Sequence, residues 1–276
     1  MIGQQKLLCK INKLVRSGFP RFTMLVGARG SGKKLISKEI AKALGYSLVP
    51  IGITVEEIRE VITNAYRNTE PIVYVIPDTD KMSVQAKNAL LKVTEEPPQK
   101  AYFILTVTDV TNTLNTLLSR ACVLKLDEYT GIEIQTYMFN KYPDYKFTGH
   151  DAEFIVNTAQ VPQEVDILMS YDVKEFREFV ETVMLNLHLV GAANAFKFEH
   201  KLALKKDEDK WDVMLFLQAL KSSYLHQYFQ TGEANYLKSY ELVRAVIYEI
   251  RYKNSVNKQY CLDQFVLALR GCWREE

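Results

Sequence analysis

Eight residues near the start of the chain carry the clearest chemistry. Gly27 to Lys34 reads GARGSGKK, which fits G-x-x-x-x-G-K and departs from the full pattern only at Lys34, where Ser or Thr is expected. Gly27, Gly30 and Gly32 let the backbone wrap a phosphate with its N–H groups, and a helix opening after them favours negative charge there. Lys33 has the length to reach terminal phosphates, while Ser31 and Leu35 complete the loop and the first helical turn. The expected ligand is ATP or ADP, with Mg²⁺ as the accompanying ion. Lys34 replaces the hydroxyl that ordinarily holds that ion, so the pattern predicts phosphate binding with a poorly positioned metal. The bland alternative is a glycine-rich turn carrying two exposed lysines.

A strand before the loop and a helix after it favour the first reading. Thr23 to Val26 is a short β-favouring run ending at Gly27. From Lys34 to Leu44 the apolar residues Leu35, Ile36, Ile40, Ala43 and Leu44 recur at helical spacing, and Gly45 supplies the stop. Ser47 to Ile51 predicts a second strand, and Thr54 with Glu57 predicts a capping box opening a helix through Ile58, Val61 and Ile62. Ile72 to Ile76, Tyr102 to Val107 and Val123 to Leu126 predict three further strands, with a helix over Val84 to Val93 ended by Pro97-Pro98. Their continuous apolar runs predict a mostly parallel sheet covered on both faces. Beyond about Asp127 the strand signals stop. Gly131 to Asn140, Asp151 to Thr158 and Gln163 to Tyr171 read as short helices, and Trp211 to Gln230 and Ala234 to Lys253 as longer amphipathic ones. The expected organisation is an α/β core over 1–127, a helical lid over 128–172 and a helical C-terminal domain over 173–276.

Composition limits the partners. With 35 basic and 33 acidic residues the net charge is +2, so affinity for nucleic acid through bulk charge is not expected, and any DNA contact is local. Cys9, Cys122, Cys261 and Cys272 form no CxxC pair and have no histidine at metal spacing, which predicts reduced thiols and no metal site. No membrane-length apolar run and no leader pattern is present in the sequence, which predicts a cytoplasmic protein with no membrane partner. Lys205 to Lys210 reads as a solvated, charged turn.

The order of several segments resembles AAA+ clamp-loader subunits of the replication machinery, and most closely the bacterial delta-prime subunit and its viral relatives. Ile2-Gly3-Gln4 resembles the box beside the adenine pocket, and Asp80-Lys81-Met82 follows the third strand as in that family. Gln85 to Lys92, Glu95-Glu96-Pro97-Pro98 and Leu118-Ser119-Arg120 are similar to the family's helix, its stop and its Ser-Arg-Cys motif, with Ala121 replacing the cysteine. Asn254 to Asn257 and Leu267 to Leu269 resemble the end of the collar. The resemblance implies a P-loop AAA+ parallel-sheet core with a small helical lid and an all-helical C-terminal collar. It places Ile2 and Gly3 at the nucleotide, Thr108 at the sensor-1 position and Arg120 as a finger acting on a neighbouring site. The implied partners are other loader subunits in a hetero-oligomeric ring, a sliding clamp and the backbone of primer-template DNA, in a bacterial or virus-infected host cytoplasm.

The same resemblance exposes departures from a working ATPase. Pro77 and Asp78 occupy the positions where the family carries Asp-Glu after the third strand, so Asp78 is the acid of a degenerate metal motif. Glu164 in Val161-Pro162-Gln163-Glu164 falls where active subunits carry a sensor-2 arginine, and a carboxylate there repels phosphate. The sequence therefore predicts weak hydrolysis at this chain's own site, with Arg120 assisting a neighbour. An arginine paired with Asp127 or Glu128 is the structural alternative for Arg120. An active motor subunit, a non-replicative AAA+ adaptor and a small-molecule kinase are the competing functions.

Overall fold

The computed structural model describes residues 2–187, 189, 196–203, 210–252 and 257–273. The chain divides into two compact units, Met1–Tyr129 and Thr130–Glu276. The Lys205 to Asp209 part of the charged turn and Asn254 to Val256 of the collar-like segment lie outside the described residues.

The first unit alternates strands and helices: α1 (Gln5–Ser17), β1 (Phe22–Val26), α2 (Lys33–Leu44), β2 (Ser47–Pro50), α3 (Val55–Arg67), β3 (Ile72–Ile76), α4 (Val84–Ala89), α5 (Leu91–Glu95), β4 (Ala101–Val107), α6 (Asn115–Leu118) and β5 (Cys122–Lys125). The five strands form one sheet in the order β2-β3-β4-β1-β5, with every neighbouring pair parallel. The three inner strands β1, β3 and β4 bury both faces, which accounts for their unbroken apolar runs. All seven residues of β4 are buried, and successive side chains leave on opposite sides. Met24, Tyr74, Ile76, Phe103 and Leu105 pack with Ile58, Ile62, Leu90 and Val93 on one face. Leu25, Val73, Val75 and Ile104 pack with Leu7, Ile11, Ile36 and Ile40 on the other.

Several local signals have the expected outcome. Thr54 accepts from Glu57 N–H while the Glu57 carboxylate accepts from Thr54 N–H, completing the capping box of α3. Gly45 ends α2 in the left-handed conformation at φ 74°. Other segments differ. The helix expected over Val84 to Val93 is two short helices with a turn at fully buried Leu90. Ahead of Arg120 lie only a 3₁₀ turn, Val110–Asn112, and the single turn of α6. α1, for which the sequence reading offered no element, packs against α2.

In the second unit the helices are α7 (Gly131–Lys141), α8 (Gly149–Thr158), α9 (Pro162–Leu168), α10 (Val173–Asn186), α11 (Val213–Thr231), α12 (Ala234–Tyr252) and α13 (Lys258–Cys272). α11 packs against α8, α10 and α12, and α12 packs against α13. Phe176, Val180, Phe216, Leu220, Tyr224 and Phe265 fill this interior. The expectation that strands end near Asp127 needs one correction: Leu202–Ala203 (β6) and Trp211–Asp212 (β7) pair in parallel. Two-residue strands carry too little periodicity to be seen in sequence. Trp211 therefore precedes α11 instead of opening it, and Asp212 caps the helix by accepting from Met214 and Leu215 N–H.

Candidate phosphate-binding site

The registers of the sheet set the geometry of the loops. Val26 pairs with Val107 and with Lys125, and Ile76 pairs with Leu105, so β1, β3, β4 and β5 end at nearly one level. Loops leaving the carboxyl edge of a parallel sheet thereby converge, and β1 lies between strands that come much later in sequence.

The β1–α2 loop holds Gly27 to Gly32. Gly27 N–H donates to Val107 O at 3.1 Å, which pins the loop's start to β4. A Cβ on Gly27 would lie 3.0 Å from Leu126 Cβ and 3.0 Å from Ser31 Oγ, so the close turn requires glycine. Gly30 and Gly32 take φ 81° and 94°, whereas Ser31 between them does not have positive φ. Alternating signs of φ point successive N–H groups toward a common centre, the arrangement that receives an anion. Ser31 is 3% exposed and its Oγ has no hydrogen-bond partner among the described residues. An unpaired buried hydroxyl beside converging N–H groups fits a phosphate oxygen.

Lys33 opens α2, is 8% exposed and donates from Nζ to Gly27 O at 2.6 Å and Ala28 O at 2.9 Å. Burial pushes its ammonium below the usual lysine value, while Asp78 and Asp80 oppose that shift. Lys34 and Leu35 are exposed on the first turn of α2. Ile2 is half-buried and Gly3 buried, with Gly3 at φ 71°. Gln4 follows in the left-handed region at φ 61° and clasps Asp127: its Nε2 donates to Asp127 O at 2.7 Å, and Asp127 N–H donates to its Oε1 at 2.9 Å.

The end of β3 is built differently. Pro77 is exposed and offers no ligand atom. Asp78 is held at φ 45°, a conformation costly for a residue with a Cβ, and its carboxylate receives Lys81 Nζ at 2.7 Å. Its backbone N–H donates to Thr106 Oγ1 at 3.2 Å. Thr108 N–H donates to Asp80 Oδ1 at 3.4 Å, placing the expected sensor position against Asp80 and not Asp78. The residues thus fit a phosphate chain well and a divalent ion poorly, because Lys34 lacks the hydroxyl and Asp78 is already paired. Among the described residues there is no group of three or more His, Cys, Asp or Glu that could hold a metal.

Arg120 lies exposed just after α6, with its guanidinium donating to Thr116 O at 3.1 Å and to Glu95 Oε1 at 3.3 Å. The acid beside it is Glu95 of the Glu-Glu-Pro-Pro stop, neither Asp127 nor Glu128. An exposed pair of this kind contributes about 0–1 kcal/mol, so it holds the arginine weakly. Glu164, in the second unit, accepts from Gln160 N–H at 2.7 Å and from Gln218 Nε2 at 3.2 Å. Burial pushes its carboxyl above the usual range against those hydrogen bonds and the nearby Arg251. No disulfide joins Cys9, Cys122, Cys261 or Cys272, and no helix among the described residues is long and apolar enough to cross a membrane.

Three contributors were not identified as site residues in the sequence: Thr106, Asp80 and Tyr129, whose hydroxyl donates to Ser31 O at 2.8 Å. Thr106 was hidden inside an apolar strand, and Asp80 was noticed only as part of a family segment. Tyr129 follows β5 with no spacing signal to link it to the loop.

A family model described as "DNA polymerase III, delta subunit" matches residues 51–130. The gamma subunit of DNA polymerase III from Buchnera aphidicola subsp. Schizaphis graminum is 32% identical over 50% of this chain and 47% of its own length. The gamma subunit from the Acyrthosiphon pisum subspecies is 36% identical over 51% of this chain and 48% of its own length. The chain thus spans about half the length of these curated relatives. A solved gamma subunit-related protein from Thermotoga maritima superposes with a TM-score of 0.55 over 97% of this chain and 100% of its own, at 15% identity, a likeness that speaks to fold. The chain is thus similar in sequence to DNA polymerase III subunits over part of its length, and similar in fold to a gamma subunit-related protein.

Proposed function

We propose that this chain is a delta-prime-like clamp-loader subunit that binds ATP or ADP, hydrolyses it poorly, and offers Arg120 to the site of a neighbouring subunit. The observation that carries this reading is the contrast inside one site. The phosphate loop has Lys33, three glycines and an unpaired Ser31 hydroxyl in place, while Asp78 is committed to Lys81 and Pro77 brings nothing. A bound nucleotide would supply the phosphoanhydride bond. On this chain, Gly30 to Lys33 would bind the phosphates, Ile2 and Gly3 would lie toward the base, and Thr108 would orient the site through Asp80. Neither Pro77 nor Asp78 can take a proton from water with the reach of a glutamate.

Arg120 completes the proposal. It is exposed, retained by a weak ion pair, and carries a permanent charge suited to a phosphoryl group on a partner. The proposed partners are sister loader subunits in a hetero-oligomeric ring, a sliding clamp, and primer-template DNA through its backbone, in the cytoplasm. Helices of 128–172 would serve as a lid and those of 173–276 as an oligomerising collar. Glu164 in that lid is held by Gln160 and Gln218, in keeping with a structural carboxylate.

Calorimetry with ATP and with ADP, with and without Mg²⁺, tests the proposal when phosphate release is followed in the same samples. Binding without release is the expected result. Steady Mg²⁺-dependent release abolished by Lys33→Ala would overturn it in favour of a motor subunit, for which the Asp80 carboxylate held against Thr108 N–H is the specific favouring observation.

A further inference from the structure

The segment that leaves β5 is laced to the site at several of its first residues. Leu126 N–H donates to Val26 O at 2.8 Å and its Cβ lies 3.0 Å from where a Gly27 Cβ would be. Asp127 clasps Gln4 in both directions. Tyr129, the last residue of the first unit, sends its hydroxyl to the Ser31 carbonyl at 2.8 Å, and the same oxygen lies 3.6 Å from the Cβ position of Gly32.

We infer that Tyr129 is a positioning residue for the phosphate loop, fixing which way its central peptide faces; this rests on the nucleotide-binding reading above. In a trans peptide the C=O of Ser31 and the N–H of Gly32 point in opposite directions. The hydroxyl that draws the carbonyl outward therefore turns the Gly32 N–H inward. Glycine on one side of Ser31 at φ 81°, and on the other at φ 94°, leaves this peptide few steric restraints of its own, so an external anchor has an effect here that it would lack in a helix. The unpaired, 3% exposed Ser31 hydroxyl is the second sign that this peptide is held for a ligand. The ligand class is a di- or triphosphate, recognised through its phosphate oxygens and not its base.

The test uses the full chain with ADP and with inorganic pyrophosphate as probes. Tyr129→Phe keeps the ring and removes the anchor. Tyr66→Phe is the control, since that hydroxyl also donates to a backbone carbonyl, that of Glu96, at the edge of the same unit. The expected result is about a three- to tenfold weaker Kd for both probes in Tyr129→Phe, the loss of one hydrogen bond. Tyr66→Phe should bind as the unaltered chain does, and the unliganded melting midpoints of both variants should stay close to it. Equal binding by Tyr129→Phe overturns the inference, as does weakening for ADP alone, which would put the hydroxyl's influence at the base. Failure of the unaltered chain to bind either probe would remove the nucleotide reading itself, a distinct outcome.

Discussion

The ends of β1 and β3 sit two strands apart in one sheet, yet they have been kept to different standards. After β1, glycines with positive φ, a buried lysine and a backbone pinned to β4 form the proposed receptor for phosphate. After β3, a proline stands first and an aspartate in a strained conformation is paired with its own neighbour Lys81. Under the proposed function, the difference teaches that holding a nucleotide and breaking it are separable demands on this fold. Binding draws on backbone N–H groups and one cation, whereas hydrolysis adds a metal and a base on a second strand.

The largest effect expected lies outside the chain's own site. In an assembled loader, Arg120→Ala should lower phosphate release by about 10³-fold if this guanidinium serves a neighbour, while ADP affinity of the isolated chain stays unchanged. Unchanged turnover would leave the degenerate β3 end without compensation. Next, Lys33→Ala should weaken ADP binding about 100-fold, because charge-assisted hydrogen bonds to phosphate are lost, with calorimetry as the readout. Retained binding would show that the β1 end is not the intact half of the comparison.

Restoring acids to the other end sharpens the contrast. The double change Pro77→Asp with Asp78→Glu should raise Mg²⁺-dependent phosphate release at least about tenfold over background, measured under single-turnover conditions. No gain would put the defect at Lys34, where the metal-binding hydroxyl is missing. The smallest effect concerns Glu164. Its carboxyl titrates above the usual carboxylate range because of burial, so its contribution to stability is full below the unfolded value and fades as pH rises through the folded one. Glu164→Gln should therefore melt at a temperature up to about 4 °C higher at pH 7.5 than the unaltered chain, with the gap closing near pH 4.5. The unpaired Gln218 Oε1 is available to accept from the new amide.

The α/β layer was readable because burying a parallel sheet on both faces leaves continuous apolar runs, and Phe103 to Val107 or Ile72 to Ile76 can hardly be read otherwise. The loop was readable because three glycines and Lys33 are required at fixed spacing. What escaped depends on contacts between residues far apart in the chain. Nothing in Tyr129 or Gln4 reveals that each reaches across the sheet edge. Arg120 was singled out, but its partner Glu95 lies on another helix, so the nearer acids in sequence, Asp127 and Glu128, were the wrong candidates. Asp78 was read as the acid of a degenerate motif, while its turn toward Lys81 needed the backbone at φ 45° to be seen. β6 and β7 escaped because two residues have no period.

The position of β1 in the sheet has a consequence for synthesis. It is the first of the five strands to be made, yet both of its neighbours, β4 and β5, are translated long after it, and the clasp between Gln4 and Asp127 joins the two extremes of the unit. Such long-range closure carries a high contact order and slows folding. A nascent chain therefore holds its phosphate loop unfinished until the residues just before Thr130 have cleared the ribosome. Under the proposed function, nucleotide capture would then begin as a late, nearly all-or-none event, timed by the last few residues of the unit and not by the loop itself.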